Sequence, residues 1–202
     1  IRDAISDTLF PGTSTIHTRL RYMLLVPWGY LELERRKVPS HKIRDYSRYD
    51  QLRLAATLKQ NAPNELGIIG GDVKDKLKTL PSAIYWAALG RWGLRVYPGT
   101  EGQYQRAVDD IYRRRKKAHL SASAAIDHGD DVGGLWEMGA HSWHPGFPDI
   151  PPDFPNSETF KLCNAEARYL QERIRHSIGD SLLADLMESP AEVLIDAPWE
   201  HP

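Results

Sequence analysis

The sequence predicts a mainly α-helical fold: a single compact helical domain around two buried helices, with a long proline-rich irregular segment. Three observations carry that prediction. Apolar residues recur at helical spacing through most of the chain, between stretches of capping and breaking residues. Two stretches, Tyr22–Trp28 and Ala83–Leu89, are apolar nearly all round, as a helix at the centre of a core must be. Strand patterns are scarce, with Glu192–Ile195 as one candidate.

The elements follow in order. Arg2–Phe10 reads as a short amphipathic helix stopped by Pro11-Gly12. Thr13, Ser14 and Thr15 carry hydroxyls that can accept from free backbone N–H groups, so they are expected to cap a helix over Thr15–Lys37. Ile16, Leu20, Met23, Leu24 and Leu31 share one face of it, and Pro27 is expected to kink it by removing an i→i−4 bond. Arg35, Arg36 and Lys37 suit the negative end of its dipole. A third helix follows Pro39 over Ser40–Gln60, then a turn-rich stretch to Gly71 and a short charged helix over Asp72–Thr79.

The second buried helix is expected over Pro81–Trp92, with proline as its first residue and Gly90 and Gly93 ending it or allowing close backbone contact. Glu101–Ala118 places Tyr104, Val108, Ile111 and Tyr112 on one face. Residues 119–161 read as an irregular Gly/Pro-rich excursion, because the prolines from Pro145 to Pro155 forbid a helix or a central strand. An extended cover over the domain is the expected form. Loops of that length are commonly functional or disordered. Helix returns over Ala165–Ile178, capped by Asn164, and again over Ser181–Glu188 beyond Gly179.

Composition narrows the class. A chain of 202 residues suits one domain spanning 1–202, and 41% hydrophobic residues are ample for a core without metal or disulfide. The single cysteine, Cys163, excludes an intrachain disulfide. With 26 Lys+Arg against 27 Asp+Glu, no whole-molecule basic field exists to attract nucleic acid, although local patches can. The longest apolar run is too short to cross a bilayer, so no membrane partner and a cytoplasmic location are expected. The first residue is isoleucine, so a fragment of a longer chain is expected.

Candidate chemistry is sparse. Pro11-Gly12-Thr13-Ser14-Thr15 followed by Arg19 and Arg21 can hold a phosphate if the helix starts there, since a helix N-terminus carries free N–H donors and partial positive charge. Simple capping competes with that reading, and no Walker lysine follows the glycine. Arg91 and Arg95 stand one turn apart, followed by Arg106 and Arg113; beside Trp92 and Tyr104 they suit a phosphate or a base. A solvated i,i+3 and i,i+4 ladder of Arg106, Asp109, Asp110, Arg113 and Arg114 is the more ordinary account of these arginines. The run Arg113–Lys117 suits a helix C-terminus first and nucleic acid second.

His128, Asp130, Asp131, His141 and His144 are metal-ligand types on a glycine-rich stretch whose spacing matches no zinc signature, so neither metal nor cofactor is expected. Cys163 is expected to be buried and inert, and no G-x-S-x-G elbow marks a nucleophilic serine.

Several stretches together resemble a bacterial family, the domain of unknown function 6361 family. They are Ile1–Ala4 with Leu9–Thr15, Thr18–Trp28, Leu80–Trp86 with Leu89–Gly93, and Trp143–Gly146 with Pro151-Pro152 and Phe154-Pro155. His17 departs from the glutamine expected there. The likeness covers nearly the whole chain and implies an additional N-terminal stretch in full-length members. It transfers no activity and no catalytic residues. It implies a setting near helicases and other DNA-processing genes of bacterial defence loci.

The expected function is therefore a non-enzymatic accessory that binds a protein partner encoded nearby, with DNA as a further partner. Direct nucleic-acid binding through Arg91, Arg95, Arg106 and the Arg113–Lys117 run is the alternative. An enzyme on a phosphorylated substrate, using the Thr13–Arg21 loop, comes third.

Overall fold

Seven apolar residues in a row, Tyr22–Trp28, dictate the architecture, because a helix carrying them has no face to offer water. In a computed structural model, which describes residues 2–71, 77–128 and 141–188, all seven are buried. Their helix, α2 (Tyr22–Arg35), follows α1 (Arg2–Leu9). It packs against α3 (Ser40–Asn61) and α4 (Pro81–Arg91), while α5 (Glu101–His128) packs on α3 and α4. The described residues end in α6 (Asn164–Ile178) and α7 (Leu182–Glu188), packed on each other. Among the described residues the only β pairing is an isolated antiparallel bridge between Arg95 and Trp143.

The remaining side of α2 is closed by the proline-rich segment. Trp28 Nε1 donates to the Pro148 carbonyl at 2.9 Å, and its ring meets Phe154 edge-on at 5.9 Å. Phe160 meets Tyr22 at 5.5 Å, and Asn61 Nδ2 donates to the Asn156 and Glu158 carbonyls at 2.9 and 3.0 Å. At its start the segment is tied down by backbone bonds from Val96 to Ser142 (2.9 Å) and from His144 to Leu94 (2.8 Å). The extended cover expected from sequence is thus an ordered layer, bound through carbonyls that no helix or sheet occupies.

One charge sits at the buried end of α2. Arg21, 9% exposed, donates through Nη1 to Glu166 at 2.7 Å and through Nη2 to Glu158 at 3.0 Å. The Lys161 carbonyl accepts from it as well. Burial alone would lower the guanidinium's pKa; the two carboxylates hold it above its ordinary value. Burial pushes Glu158 above the usual carboxylate range against the pull of Arg21.

The helix ends follow known chemistry. Gly93 takes the left-handed conformation (φ +67°) after α4, and the Leu94 N–H reaches the Leu89 carbonyl at 3.0 Å. Lys37 does the same after α2 (φ 52°), with Val38 donating to Leu33 at 3.0 Å. Asp109 of α5 caps α3 from across the interface, accepting from the Ser40 N–H at 3.1 Å and its hydroxyl at 2.6 Å.

Several boundaries differ from the sequence reading. The helix expected from Thr15 begins at Tyr22 with Arg21 as its N-cap, and Thr13, Ser14 and Thr15 cap nothing. The reason is Tyr85, whose hydroxyl accepts from the Thr18 and Arg19 N–H groups at 2.9 and 3.0 Å and donates to the Arg19 carbonyl. Those groups are engaged in a loop before a helix can use them. Pro27 lies inside α2, which continues through it. The helix read as ending at Ala118 continues to His128, so the irregular excursion starts later than residue 119. Serine and alanine in 121–125 sustain a helix that looked like a loop in composition. The N-cap of α6 is Cys163, not Asn164. Residues 72–76 of the expected charged helix and the strand candidate Glu192–Ile195 lie outside the described residues.

Two stability outcomes follow. Arg21→Met strands two buried carboxylates, and urea melts are expected to show a loss of about 3–5 kcal/mol. Adding Glu158→Gln and Glu166→Gln should return part of it. The Ser40 hydroxyl and N–H hold the Asp109 pKa below its ordinary value, so its contribution is present at neutral pH and lost as pH falls through the depressed value. Asp109→Ala should cost about 1 kcal/mol at pH 7, and the gap to the unmodified protein should narrow below pH about 4.

Candidate nucleic-acid interface

The first half of α3 repeats charge at one-turn spacing: Arg44 with Arg48, and His41 with Asp45. These residues form one wall of a groove of about 650 Å³. Lys78 and Thr79, before α4, and Gly102, Gln105 and Arg106, in the first turns of α5, complete it. Ser40 and His41 open α3, Leu80 and Ala83 lie in the start of α4, and Glu101 and Gly102 open α5. Three helix N-termini therefore border one space, and their dipoles add positive potential to that of the side chains.

The groove holds four cationic side chains, Arg44, Arg48, Lys78 and Arg106, against two carboxylates, in a chain of formal net charge −1. One of the carboxylates is already engaged. Glu101 accepts from the Tyr30 hydroxyl, which also accepts from Gln105 Nε2 at 2.9 Å. Burial, followed by the Glu101 charge, drives the Tyr30 pKa far above its ordinary value and keeps the phenol a donor. Arg48 donates to the Leu77 carbonyl at 3.2 Å, which fixes its direction across the groove. Among the described residues no carboxylate pairs with Arg44, Lys78 or Arg106. The arrangement can hold an anion with several oxygens, by charge and by the planar guanidinium donors.

Of the residues singled out from sequence, only Arg106 lines this groove. Thr13 donates to the Phe10 carbonyl at 2.8 Å, and Ser14 and Thr15 are exposed on the loop. Arg19 pairs with Glu65 at 2.7 Å and lies over Phe160, while Arg21 is enclosed by its glutamates. The phosphate cradle expected over Thr13–Arg21 lacks the helix start it required. Arg91 is exposed and its stem packs on Gly12 (φ +78°), where an added Cβ would stand 2.8 Å from the Arg91 Cβ. Arg95 stacks on Trp86 at 4.7 Å and donates to the Tyr97 carbonyl; burial lowers its pKa. Arg113 pairs with Asp110, as the ladder reading has it. Sequence reading missed Arg44, Arg48 and Lys78. The i,i+4 pair in α3 was the available signal, but nothing local joins it to residues thirty or sixty positions away.

A second space, of about 380 Å³, is lined by Glu34, Arg115, His141 and His144 among others. Glu34 is 4% exposed and is held by the Tyr104 hydroxyl, Trp143 Nε1 at 3.2 Å and Arg115 at 2.7 Å. It is a core carboxylate, hydrogen-bonded through Oε1 and ion-paired through Oε2, inside an aromatic cluster of Tyr30, Trp86, Tyr104 and Trp143. His144 contacts the Arg173 guanidinium at 3.0 Å; burial and that charge lower its pKa. No group of three metal-ligating side chains comes together among the described residues; Asp130 and Asp131 lie outside them.

A family model described as a family of unknown function, DUF6361, matches residues 1–201. The chain belongs to that family. No curated protein and no solved structure matches it. The stretches by which the chain resembles DUF6361 pack on one another: Trp92 Nε1 donates to the Pro11 carbonyl at 2.8 Å, and Trp86 meets Trp143 at 6.0 Å. They build the scaffold and reach the groove only through Leu80 and Ala83. Among the described residues no helix is long and apolar enough to cross a membrane.

Cys163 is exposed, against the expectation of burial, because it sits at the N-cap of α6 with its N–H donating to Glu166 at 2.8 Å. Ellman's reagent should therefore modify one thiol per chain in the folded protein without denaturant.

Proposed function

We propose that this DUF6361 chain binds nucleic acid through the groove between α3, α4 and α5, as an accessory of a DNA-processing system. The observation that carries the reading is the meeting of Arg44, Lys78 and Arg106, without paired carboxylates, at three helix N-termini. Phosphate contacts of this kind supply affinity and register without reading sequence, so the expected binding is sequence-tolerant and salt-sensitive. Partner capture is a second reading, favoured by Ile5 and Leu9, one turn apart on α1 and 53% and 38% exposed.

Fluorescence anisotropy of labelled DNA at low and physiological salt tests the proposal. The unmodified chain should bind more weakly as salt rises. Arg44→Glu with Arg106→Glu should abolish binding at physiological salt, and single changes to glutamine should lower the salt slope by about one phosphate contact each. Arg91→Glu, far from the groove in the fold, should bind as the unmodified chain does. No binding by the unmodified chain at low salt would overturn the reading and leave partner capture.

A further inference from the structure

Two aromatic side chains are exposed among the described residues, Tyr46 (41%) and Tyr49 (66%), and both stand on α3, the helix that carries Arg44 and Arg48. A tyrosine in a protein of this size ordinarily buries its ring, as Tyr22, Tyr30, Tyr85 and Tyr104 do here. Tyr46 is covered in part by the Arg36 guanidinium, 5.4 Å from its centroid. No ring or cation among the described residues stacks on Tyr49.

Its position on the helix is specific. His41 and Asp45 line the basic groove, and Tyr49 continues that stripe by one further turn, about 6 Å along the axis. One turn further, Arg53 donates through Nη2 to the Asn156 side chain of the cover at 2.8 Å, so the stripe ends at Tyr49. A chain leaving the groove along α3 meets an uncovered aromatic face. A phosphate groove followed by an aromatic platform is the chemistry of an unpaired strand, whose bases are free to stack; a duplex keeps its bases stacked inside and presents only phosphates and edges.

We infer that the groove's ligand is single-stranded nucleic acid, with a base stacked on Tyr49. The inference rests on the nucleic-acid reading of the groove and adds the strand form and the stacking residue. DNA and RNA share this chemistry, since every base has a stacking face, and the 2′-hydroxyl is what can distinguish them.

The test uses the full chain and four labelled probes: an oligothymidylate, an oligouridylate and the DNA and RNA duplexes of equal length. The expected result is tighter binding of the single strands than of the duplexes. Tyr49→Ala should weaken the single strands roughly tenfold, leaving duplex binding and the salt slope unchanged. Tyr49→Phe keeps the ring and should bind within about twofold of the unmodified chain. A 2-aminopurine oligonucleotide should be quenched by the unmodified chain and by Tyr49→Phe, and less by Tyr49→Ala. Both variants change an exposed side chain, and equal urea midpoints would confirm that they fold. Duplex preference, equal affinity of Tyr49→Ala, or an equal loss in Tyr49→Phe would each overturn the stacking while leaving the groove reading in place. Absence of binding to all four probes at low salt would overturn both.

Discussion

The structure depends on covering a helix that has no polar side. Residues Tyr22 to Trp28 of α2 are buried in succession, so each direction around its axis needs a neighbour. Helices supply two of these, α3 and α4. The last is supplied by an irregular chain, and that choice has a cost, because irregular backbone carries carbonyls and N–H groups without regular partners. The indole of Trp28, the amide of Asn61 and the guanidinium of Arg21 answer it by donating to the Pro148, Asn156, Glu158 and Lys161 carbonyls. Arg21 is where the two demands meet. Its charge marks the point at which α2 enters the core, and the cover and α6 each bring a glutamate to it.

The groove is a consequence of the same packing. Gln51 of α3 accepts from the Ser82 N–H at 2.8 Å and so ties α3 to the first turn of α4. Asp109 of α5 reaches the first turn of α3, and Glu101 of α5 reaches Tyr30 of α2. These bonds hold α2, α3, α4 and α5 together in a packing that leaves the starts of α3, α4 and α5 bordering one groove. A set of helices joined in this way concentrates N-terminal potential at a surface where long cationic side chains also emerge. Site and scaffold meet at Ser40 and Glu101, which line the groove and bond between helices, while Arg44, Lys78 and Arg106 do not take part in holding the helices.

Much of the fold was legible because it rests on local patterns. The repeat of apolar residues over Ser40–Asn61, the proline at the start of α4 and the glycine after it each act within a few residues of where they are read. What was not legible depends on distant partners. Nothing in Thr15–Arg21 announces that Tyr85 will take its N–H groups and delay the helix to Tyr22. The exposure of Cys163 follows from where Glu166 must point to reach Arg21. Arg106 was singled out with Arg91 and Arg95 because they are close in sequence, whereas the fold separates them and joins Arg106 to Arg44 and Lys78.

Composition gives the sum of charge and not its distribution. A net charge of −1 argues against a basic molecule only if acids and bases are spread alike over the surface. They are not. Glu34, Glu158 and Glu166 are buried, and Glu101 and Asp109 are bonded between helices. Carboxylates serve well inside because each can accept several hydrogen bonds from tyrosine, indole, amide and guanidinium donors, as Glu34 does. Arginine and lysine on long stems reach solvent more easily from the same helices. A chain that uses its acids as internal acceptors thus shows water, at least along this groove, a face more basic than its composition. Local charge segregation of this kind is invisible to a sum over the sequence, and it makes the proposed polyanion groove compatible with a chain of nearly zero net charge.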